Sequence, residues 1–556
     1  MGNVVTYEDF GATGDGKTDD TPALIRAHTY ANENNLPVAA DSRRSYYLAP
    51  CPESIPVMTD TDWGGARFII DDQTLPPEKR LRPVFHIKSA HEPAALPITS
   101  LKKYQGKIDA ELPGNSLVVV TNEKCRQFIR VGLNVDAGSA QTDCFIVDKS
   151  GAILNPLRWD FETISSIIAY PLDQRGLTVR GGIFTTIANQ APAEYTYYDR
   201  GIRVTRSNVI MNGLTHFIEG EKEQGAPYSG FVNAESCARL RVMNCHFSPH
   251  YTYTTIGRAK LPVMMGSYDI LINRCVDVSF FNCRQDNIMD RRYWGLFGSN
   301  FCRDILVDGC VFSRVDAHQG VTGYTIKNSV MGHMGLKAIG GGLMRVENVS
   351  LLGESIDIRG DYGSVWDGDL FLKDITWRPE KADACLIRNV NRGGHNFGYP
   401  CRLPRKIVIE NLTILDGDLA IGENSGISLL EIHGETNADL KSWTEKAAGD
   451  EPRDYPYVFS EIIEIRGVKT QSGRGFRLFS APPEKCYAAA AGETKGEKIK
   501  PNFRALIDDV DAVTIELGGE NIEYDRTHRL LPEITIRNCP MARVDRGKNP
   551  GIIRIE

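Results

Sequence analysis

Three polar side chains near the middle of the chain have the spacing of residues on one side of an extended strand. They are Arg314, Asp316 and His318, and alternate residues of a strand point to the same side. Because histidine exchanges a proton near neutral pH, His318 is the predicted general base, with Asp316 fixing its tautomer or holding Arg314. Arg314 would neutralise a carboxylate. The alternative interpretation is a ladder of surface salt bridges.

Two segments before this strand combine aromatic and basic residues, at 250–260 and 286–295. Flat aromatic rings stack on the faces of sugars, and arginine forks bind carboxylate or sulfate groups. The segments are therefore predicted to be substrate-binding loops rather than ordinary solvated loops. The predicted binding residues in these loops are His250, Tyr253, Arg258, Arg292 and Trp294. Asn300, just beyond the second loop, is a further predicted binding residue.

The charge of this region differs from that of the whole chain. Residues 251–345 carry 11 Lys and Arg against 7 Asp and Glu, a net charge of +4, whereas the net charge of the chain is −7. A positive stretch on an acidic protein favours an anionic ligand, and the overall charge disfavours a general nucleic-acid binder. The sequence contains no run of about 18 apolar residues, so it predicts no membrane-spanning helix.

The elements that must position these residues repeat along the chain. Three segments each hold two cysteines eight residues apart, at 237–245, 275–283 and 302–310. The intervals between the segments differ, and constant strands with variable loops are typical of a parallel coil. Stacked cysteines would lie about 4.8 Å apart, which permits disulfides, but buried free thiols are the favoured interpretation. Asparagines near the strand ends predict left-handed turns, at Asn244, Asn282, Asn328 and Asn348.

The cysteine spacing also predicts a register for the following strands. A fourth copy, at 321–329, places Arg314 over His333 and His318 over Lys337. His333 is then the second choice of base, and Lys337 and Asp316 are predicted substrate-binding residues. The predicted proton donor is Tyr324, His250 or Tyr253.

The N-terminal segment Asp9-Phe10-Gly11-Ala12-Thr13-Gly14-Asp15-Gly16-Lys17-Thr18-Asp19-Asp20-Thr21 predicts tight turns with Asx-type bonds, followed by a helix from Ala23 to Asn34. This segment resembles the N-terminal signature of the pectate-lyase-like β-helix superfamily. The resemblance implies an all-β, right-handed parallel β-helix (pectin-lyase-like) with an N-terminal capping helix and loop insertions. The superfamily includes polysaccharide lyases, polygalacturonase-like hydrolases and phage tailspikes.

One continuous domain is predicted, in four stretches. Residues 1–50 form the N-terminal cap, 51–170 early rungs with a β-rich elaboration, and 171–440 the central rungs with an active-site groove. Residues 441–556 form C-terminal rungs with exposed insertions at 488–492 and 494–500.

The favoured function is a polysaccharide lyase that cleaves a uronate-containing glycan by β-elimination. The central rungs, at "RRYWGLFGSN" and "SRVDAHQG", are similar to β-helix glycosaminoglycan lyases of gut Bacteroidetes. That likeness favours chondroitin sulfate, dermatan sulfate or hyaluronan, with pectin or alginate next. It also implies a secreted, periplasmic or cell-surface bacterial protein, although no signal peptide is visible.

Two other classes stay open. One is a polygalacturonase-like glycoside hydrolase that uses two of the carboxylates Asp286, Asp290, Asp316 and Asp361. The other is a non-catalytic glycan-binding β-helix of the tailspike or adhesin kind. Some lyases of the superfamily use calcium, but no dense acidic cluster appears in the groove segment. A mechanism without metal or cofactor is therefore predicted.

Overall fold

The computed structural model describes residues 4–50, 53–128, 138–258, 260–266, 268–353, 355–359, 365–388, 402–419, 426–431, 460–480, 503–518, 532–547, 549 and 551–556. The chain divides into a first unit of residues 1–124 and 141–314 and a second unit of residues 125–140 and 315–556. The predicted insertions at 488–492 and 494–500, and Asp361, lie outside the described residues.

The first unit contains one α-helix and a succession of short strands. Its elements, some of which extend past its bounds, are β1 (Val5–Thr6), β2 (Asp15–Asp19), α1 (Thr21–Asn34), β3 (Val38–Ala39), β4 (Ser45–Leu48), β5 (Ile55–Val57), β6 (Thr61–Asp71), β7 (Phe85–Ile87), β8 (Ala94–Ala95), β9 (Ser116–Gln127), β10 (Ser139–Val147), β11 (Ser166–Pro171), β12 (Leu177–Ile187), β13 (Ile202–Val204), β14 (Val209–Asn212), β15 (Thr215–Glu219), β16 (Val232–Glu235), β17 (Ala238–Met243), β18 (His246–Phe247), β19 (Tyr253–Ile256), β20 (Pro262–Met265), β21 (Tyr268–Asn273), β22 (Val276–Phe281), β23 (Arg284–Gln285), β24 (Leu296–Asn300), β25 (Arg303–Asp308) and β26 (Val311–Leu351), with 3₁₀ turns at Glu8–Phe10 and Pro77–Lys79.

Three strands make one coil in the central part of this unit. β16, β17 and β18 pair in parallel with β21, β22 and β23 of the next coil. Leu240 pairs with Val278, and Val278 pairs with Ile305, so the register predicted from the cysteine spacing is correct there. Alternate residues of β17 and β25 are buried. This pairing confirms the predicted all-β, parallel β-helix fold.

The six cysteines of the repeated segments are buried free thiols, as predicted. The Sγ atoms of Cys237 and Cys275 lie 3.6 Å apart, in adjacent coils. Burial raises the pKa of the Cys302 thiol well above its usual range. These cysteines therefore act as small apolar side chains within the coil.

The predicted left-handed turns are confirmed at all four asparagines. Asn244, Asn282, Asn328 and Asn348 have φ values of 54°, 51°, 52° and 51°. Their amides also bond to each other across coils: Asn282 Nδ2 donates to Asn244 Oδ1 at 3.4 Å, and Asn348 Nδ2 to Asn328 Oδ1 at 2.9 Å. One residue type thus supplies both the backbone conformation and a ladder of side-chain bonds.

The N-terminal helix begins two residues earlier than predicted, at Thr21. Asp20 occupies the N-cap position, but its side chain does not bond the helix. Instead its carboxylate accepts hydrogen bonds from the backbone N–H groups of Thr13 at 2.6 Å and Gly14 at 3.0 Å. Asp20 therefore folds the glycine-rich turn back onto the start of the helix.

A separate antiparallel sheet, with strand order β10–β9–β11–β8, lies within residues 94–171. It has an apolar core of its own, which includes Val118, Phe145 and Phe161.

In the second unit, parallel strands stack in two columns. The elements after β26 are β27 (Ile356–Ile358), β28 (Trp366–Trp377), β29 (Cys385–Arg388), β30 (Lys406–Ile414), β31 (Ser428–Leu430), β32 (Ile462–Thr470), β33 (Phe476–Phe479), β34 (Phe503–Asp511), β35 (Thr514–Glu516), β36 (Pro532–Arg537), β37 (Arg543–Asp545) and β38 (Ile552–Ile555). The even-numbered strands from β28 to β38 form one column, and the odd-numbered strands from β27 to β37 form the other.

Candidate active site

The two loops predicted to bind substrate contact each other in the first unit. Tyr251 and Tyr293 form an antiparallel bridge, and their rings stack with centroids 5.1 Å apart. The backbone N–H of Thr252 donates to the carbonyl of Arg292 at 3.1 Å. The structure thus joins residues 250–260 and 286–295 into one aromatic surface, which we call the paired loops.

The paired loops present cationic side chains to solvent. Arg258 and Arg292 are exposed, and the Arg292 guanidinium lies 5.6 Å from the centroid of the Tyr293 ring. Arg292 also forms a 2.6 Å ion pair with Asp290. Because that pair is exposed, it orients the guanidinium without greatly reducing its attraction for an anion.

The other two predicted residues of the first loop are buried. His250 Nδ1 lies 2.7 Å from Glu221 Oε1, and the Tyr228 ring stacks on His250 with centroids 4.2 Å apart. The Tyr253 hydroxyl donates to the carbonyl of Lys222 at 3.3 Å, and burial raises the pKa of Tyr253 above its usual range. His250 and Tyr253 therefore lie where they hold the loop in place.

The second loop leads to a buried arginine. The guanidinium of Arg314 lies 5.5 Å from the centroid of the Trp294 ring, a distance typical of a cation–π contact. The hydroxyl of Ser313 donates to the carbonyl of Trp294. Asn300 ends β24 and pairs with Asn273 of β21. The structure therefore brings Trp294 and Arg314 together and places Asn300 at the end of β24, the strand that follows Trp294.

Close to Gly295, at the end of the second loop, lies a buried carboxyl group that sequence analysis missed. Asp269, in β21, is 1% exposed, and its Oδ2 accepts a hydrogen bond from Gln285 Nε2. Gln285 also donates to the carbonyl of Gly295 and accepts from the Ser313 N–H at 3.0 Å. The other oxygen, Asp269 Oδ1, has no hydrogen-bond partner among the described residues.

The surroundings of Asp269 favour its protonated form. Burial raises the pKa of Asp269 well above its usual range, the hydrogen bond from Gln285 opposes that rise, and the negative charges of Glu221 and Asp286 add to it. We call Glu221, Asp269 and Asp286 the carboxyl cluster. An acid that stays protonated at neutral pH can donate a proton in a reaction.

Asp286 has the opposite environment. Its carboxylate is 2.7 Å from His246 Nε2 and accepts a 3.0 Å hydrogen bond from the Ser248 hydroxyl, and the side chain is 40% exposed. Asp269 and Asp286 are thus a buried and a half-exposed carboxyl group of the same cluster, and carboxyl groups in unlike surroundings divide the acid and base roles in many enzymes. Asp286 was a sequence candidate for the hydrolase.

Asp269 and Glu221 escaped the sequence analysis because they lie outside the two loops and the strand that it singled out. The signal for Asp269 was present: it is an acidic residue in the otherwise apolar strand Tyr268–Asn273, at a buried position.

The remaining predicted residues belong to the second unit. Asp316 forms a buried ion pair with Arg359, Nη1 to Oδ2 at 3.0 Å, a partner that sequence analysis did not consider. Lys337 pairs with Asp357 at 3.1 Å. His318 is half-buried, and two further predicted residues are buried, namely His333 and Tyr324.

The superfamily resemblance implies calcium for some relatives. In the described part of the chain, no group of three or more His, Cys, Asp or Glu side chains could hold a metal ion. No described helix is long and apolar enough to cross a membrane.

Comparison with known proteins gives one relative by sequence and several by structure. A capsule KL64-specific depolymerase of a Klebsiella phage is 32% identical over 187 residues, which are 30% of this chain and 18% of that protein. The tailspike of Pseudomonas phage phi297 has a similar structure, with 11% identity, a TM-score of 0.50, and coverage of 91% of this chain and 80% of its own.

The tailspike of Pseudomonas phage LKA1 is 13% identical with a TM-score of 0.48, over 99% of this chain and 84% of its own. At its low identity, the phi297 likeness supports the parallel β-helix fold alone. No protein-family model matches the chain.

Proposed function

We propose that this protein cleaves an anionic polysaccharide, and that it does so by acid-assisted hydrolysis of a glycosidic bond at the carboxyl cluster. The observation that carries the proposal is Asp269, a buried carboxyl group with a raised pKa and an oxygen that no described residue bonds. Such a group is costly to bury unless it is used or neutral, and a neutral acid is what departure of a sugar oxygen requires.

In this reaction Asp269 donates its proton to the glycosidic oxygen while the bond from that oxygen to the anomeric carbon breaks. The ionised Asp286 takes a proton from water, whose hydroxyl adds to the anomeric carbon. The proton then returns from Asp286 to Asp269 through solvent. Because Asp269 is only 1% exposed, the loop that carries Trp294 must move when substrate enters.

The substrate class follows from the paired loops. Their rings suit the faces of sugars, and the exposed Arg258 and Arg292 suit carboxylate or sulfate groups. The phage depolymerase that resembles part of the chain is specific for a bacterial capsule. We therefore propose an acidic polysaccharide of a bacterial surface as the first substrate, and a site of action outside the bacterial cell. Glycosaminoglycans, pectin and alginate form the next group.

β-Elimination, which the sequence favours, is the second candidate. Arg314 supports it, since its guanidinium lies 5.5 Å from the centroid of the Trp294 ring and would neutralise the carboxylate of a uronic acid bound beside it. The base that the sequence predicts for this reaction, the half-buried His318, with His333 as the second choice, and the predicted acid Tyr324 all lie in the second unit. Under this mechanism His318→Ala abolishes turnover and leaves glycan binding measurable.

Product chemistry distinguishes the candidates. The protein is incubated with purified bacterial capsular polysaccharides, chondroitin sulfate, hyaluronan, pectate and alginate, and reducing ends and the ultraviolet absorbance of unsaturated uronate are followed together. Reducing ends without absorbance indicate hydrolysis, and both signals together indicate β-elimination. Binding without either signal would contradict both and indicate a glycan-binding module.

The site is tested with Asp269→Asn, which keeps the size of the side chain and removes its acidic proton. We expect turnover to fall at least about a hundredfold, the usual contribution of a general acid. Asp418→Asn, in the exposed ion pair with Arg378 of the second unit, is the matched control and should retain most activity. Full activity of Asp269→Asn would exclude this site.

A further inference from the structure

A two-stranded hairpin continues the first of the paired loops, and one of its faces is packed while the other is open. Its strands, β19 and β20, pair with each other and with no other described strand. The packed face holds Tyr253, Thr255, Val263 and Met265, each less than a tenth exposed. The Thr255 hydroxyl donates to the carbonyl of Ala193 at 3.0 Å, so this face is fixed to the rest of the first unit.

The open side of the hairpin carries aliphatic side chains. Ile256 and Met264 are 56% and 53% exposed, and Leu261, at the end of the turn between the strands, is 50% exposed. Pro262 is also exposed and pairs with Ile256 across the two strands. We call Ile256, Leu261, Pro262 and Met264 the aliphatic patch. Single exposed apolar side chains are ordinary, whereas a group of them marks a surface that contacts something.

The turn of the hairpin adds two positive charges beside this patch. The turn is closed by hydrogen bonds from the Gly257 N–H to the Leu261 carbonyl at 2.9 Å and from the Lys260 N–H to the Gly257 carbonyl at 3.0 Å. Arg258 and Lys260 lie in this turn and are exposed. Residues 253–266 contain these two basic residues and no aspartate or glutamate, a net charge of +2. The hairpin therefore presents aliphatic and cationic side chains together.

The composition of the open side disfavours a glycan or a second protein as its partner. Sugar faces stack on flat aromatic rings and sugar hydroxyls need hydrogen-bond partners, but the exposed strand residues are aliphatic except for Thr254. The patch offers on the order of a few hundred Å², whereas each partner in a stable protein interface buries roughly 800 Å². Interfacial binding to lipid needs only a small apolar surface and nearby cations.

We propose that this hairpin binds an anionic lipid surface. The aliphatic patch lies among the acyl chains just below the headgroups, and Arg258 and Lys260 bind the lipid phosphates. This inference goes beyond the proposed function, because it adds a lipid contact to the cleavage of a polysaccharide. Such a contact would hold the protein at the surface that carries its substrate.

Cosedimentation of the whole chain with lipid vesicles tests the proposal. One set of vesicles contains equal parts of phosphatidylcholine and phosphatidylglycerol, and the other contains phosphatidylcholine alone. We expect binding to the anionic vesicles at low salt. Binding to the neutral vesicles should be at least about tenfold weaker, because each cation near a negative lipid surface contributes about fivefold. No polysaccharide is present, and the cleavage assay contains no lipid, so the two proposals fail separately.

A double variant removes the aliphatic patch without disturbing the packed face. Ile256→Thr keeps a β-branched side chain and Met264→Gln keeps an unbranched one, so β19 and β20 should still form. We expect this double variant to bind anionic vesicles at least about tenfold more weakly. The matched control combines Ile210→Thr with Met541→Gln, the same exchanges at exposed residues outside the hairpin, and should bind as wild type.

Three results in the vesicle assay would overturn the proposal: no binding to anionic vesicles, equal binding to neutral vesicles, or unchanged binding of the hairpin double variant. Analytical ultracentrifugation without lipid examines the other possible occupant, a second copy of the chain. An oligomer that dissociates in the hairpin double variant and persists in the control would show that another copy covers the aliphatic patch, which would also overturn the proposal.

Discussion

Glu221 holds the first of the paired loops at two points. Its Oε1 lies 2.7 Å from Nδ1 of His250, and its Oε2 accepts a 3.0 Å hydrogen bond from the backbone N–H of Tyr251. The side chains of Glu221 and His250 are 9% and 3% exposed. One carboxylate thus fixes the loop that carries Tyr251 while its charge also favours the protonated form of Asp269.

We expect Glu221→Gln to loosen this loop and weaken glycan binding. Glutamine has one acceptor oxygen instead of two, so the substitution makes one of these hydrogen bonds neutral, about half as strong, and removes the other as the carboxylate forms it. Glycan affinity should fall several-fold, and protease cleavage within residues 250–266 should become faster. Glu223→Gln, at an exposed neighbouring residue, is the control and should behave as wild type. Unchanged protease resistance in Glu221→Gln would contradict this role.

The raised pKa of Asp269 predicts a pH dependence of stability. In the native state Asp269 keeps its proton above pH 3.8, whereas in the unfolded chain it loses it. Its contribution to stability is therefore complete below the unfolded pKa and is lost as the pH rises towards and through the folded pKa, by up to about 1.4 kcal/mol per pH unit.

The measurement compares wild type with Asp269→Asn. Other carboxyl groups titrate in both proteins, so the difference between the two free energies of unfolding isolates Asp269. We expect the wild type to lose stability relative to the variant as the pH rises from 4 to 8. Urea unfolding at each pH measures the two free energies of unfolding. A difference that stays constant over this range would mean that Asp269 is ionised in the folded protein.

The contact between Arg314 and Trp294 predicts a graded effect on glycan binding. Trp294→Phe keeps a ring beside the guanidinium, whereas Trp294→Ala removes the ring from both the arginine and the sugar. We expect the alanine variant to bind about tenfold more weakly and the phenylalanine variant to lie between it and wild type.

Tyr104→Ala is the control for the loss of an aromatic ring. The Tyr104 ring also lies near a cation, 5.1 Å from Nζ of Lys103, but it is 76% exposed and outside the paired loops. Glycan affinity of this variant, measured by the same titration calorimetry, should not change. An equal loss of affinity in Tyr104→Ala and Trp294→Ala would show that the effect at Trp294 does not come from a contact between its ring and the glycan.

The sequence predicted the coil because its signals are local and repeated. The cysteines recur at a fixed spacing because the first and the second of each pair stack on their counterparts in the next coil, as Cys237 does on Cys275 and Cys283 on Cys310. The same spacing predicted the pairing of Leu240 with Val278. The paired loops were recognised from composition, but their mutual contact through Tyr251 and Tyr293 depends on long-range folding.

The carboxyl cluster was not predictable in the same way. Its three acids are separated by 48 and 17 residues in the chain, and only the coil brings their charges close. The role of Asp269 depends on its burial, which its strand does signal, and on the hydrogen bond from Gln285, which has no sequence signature. Likewise, the pairing of Asp316 with Arg359 follows from the path of the chain between them.

The asparagine ladder predicts an unusual order of variants at Asn282. This residue has φ 51°, and its Nδ2 donates to Asn244 Oδ1. One coil later, Gly309 has φ 67° and lies so close that an added Cβ would be 2.5 Å from Asn282 Oδ1. Left-handed backbone is costly for alanine, by roughly 1–2 kcal/mol, but not for glycine.

We therefore expect Asn282→Gly to be more stable than Asn282→Ala by about 1 kcal/mol, although both lose the side-chain bond. Thr254, an exposed residue of β19 that is not among the residues with positive φ, is the control. There the order should reverse, with Thr254→Ala more stable than Thr254→Gly, because glycine loses more backbone entropy. Denaturant unfolding gives the stability of the four variants. If glycine and alanine had the same order of stability at both positions, the backbone conformation would not control stability at Asn282.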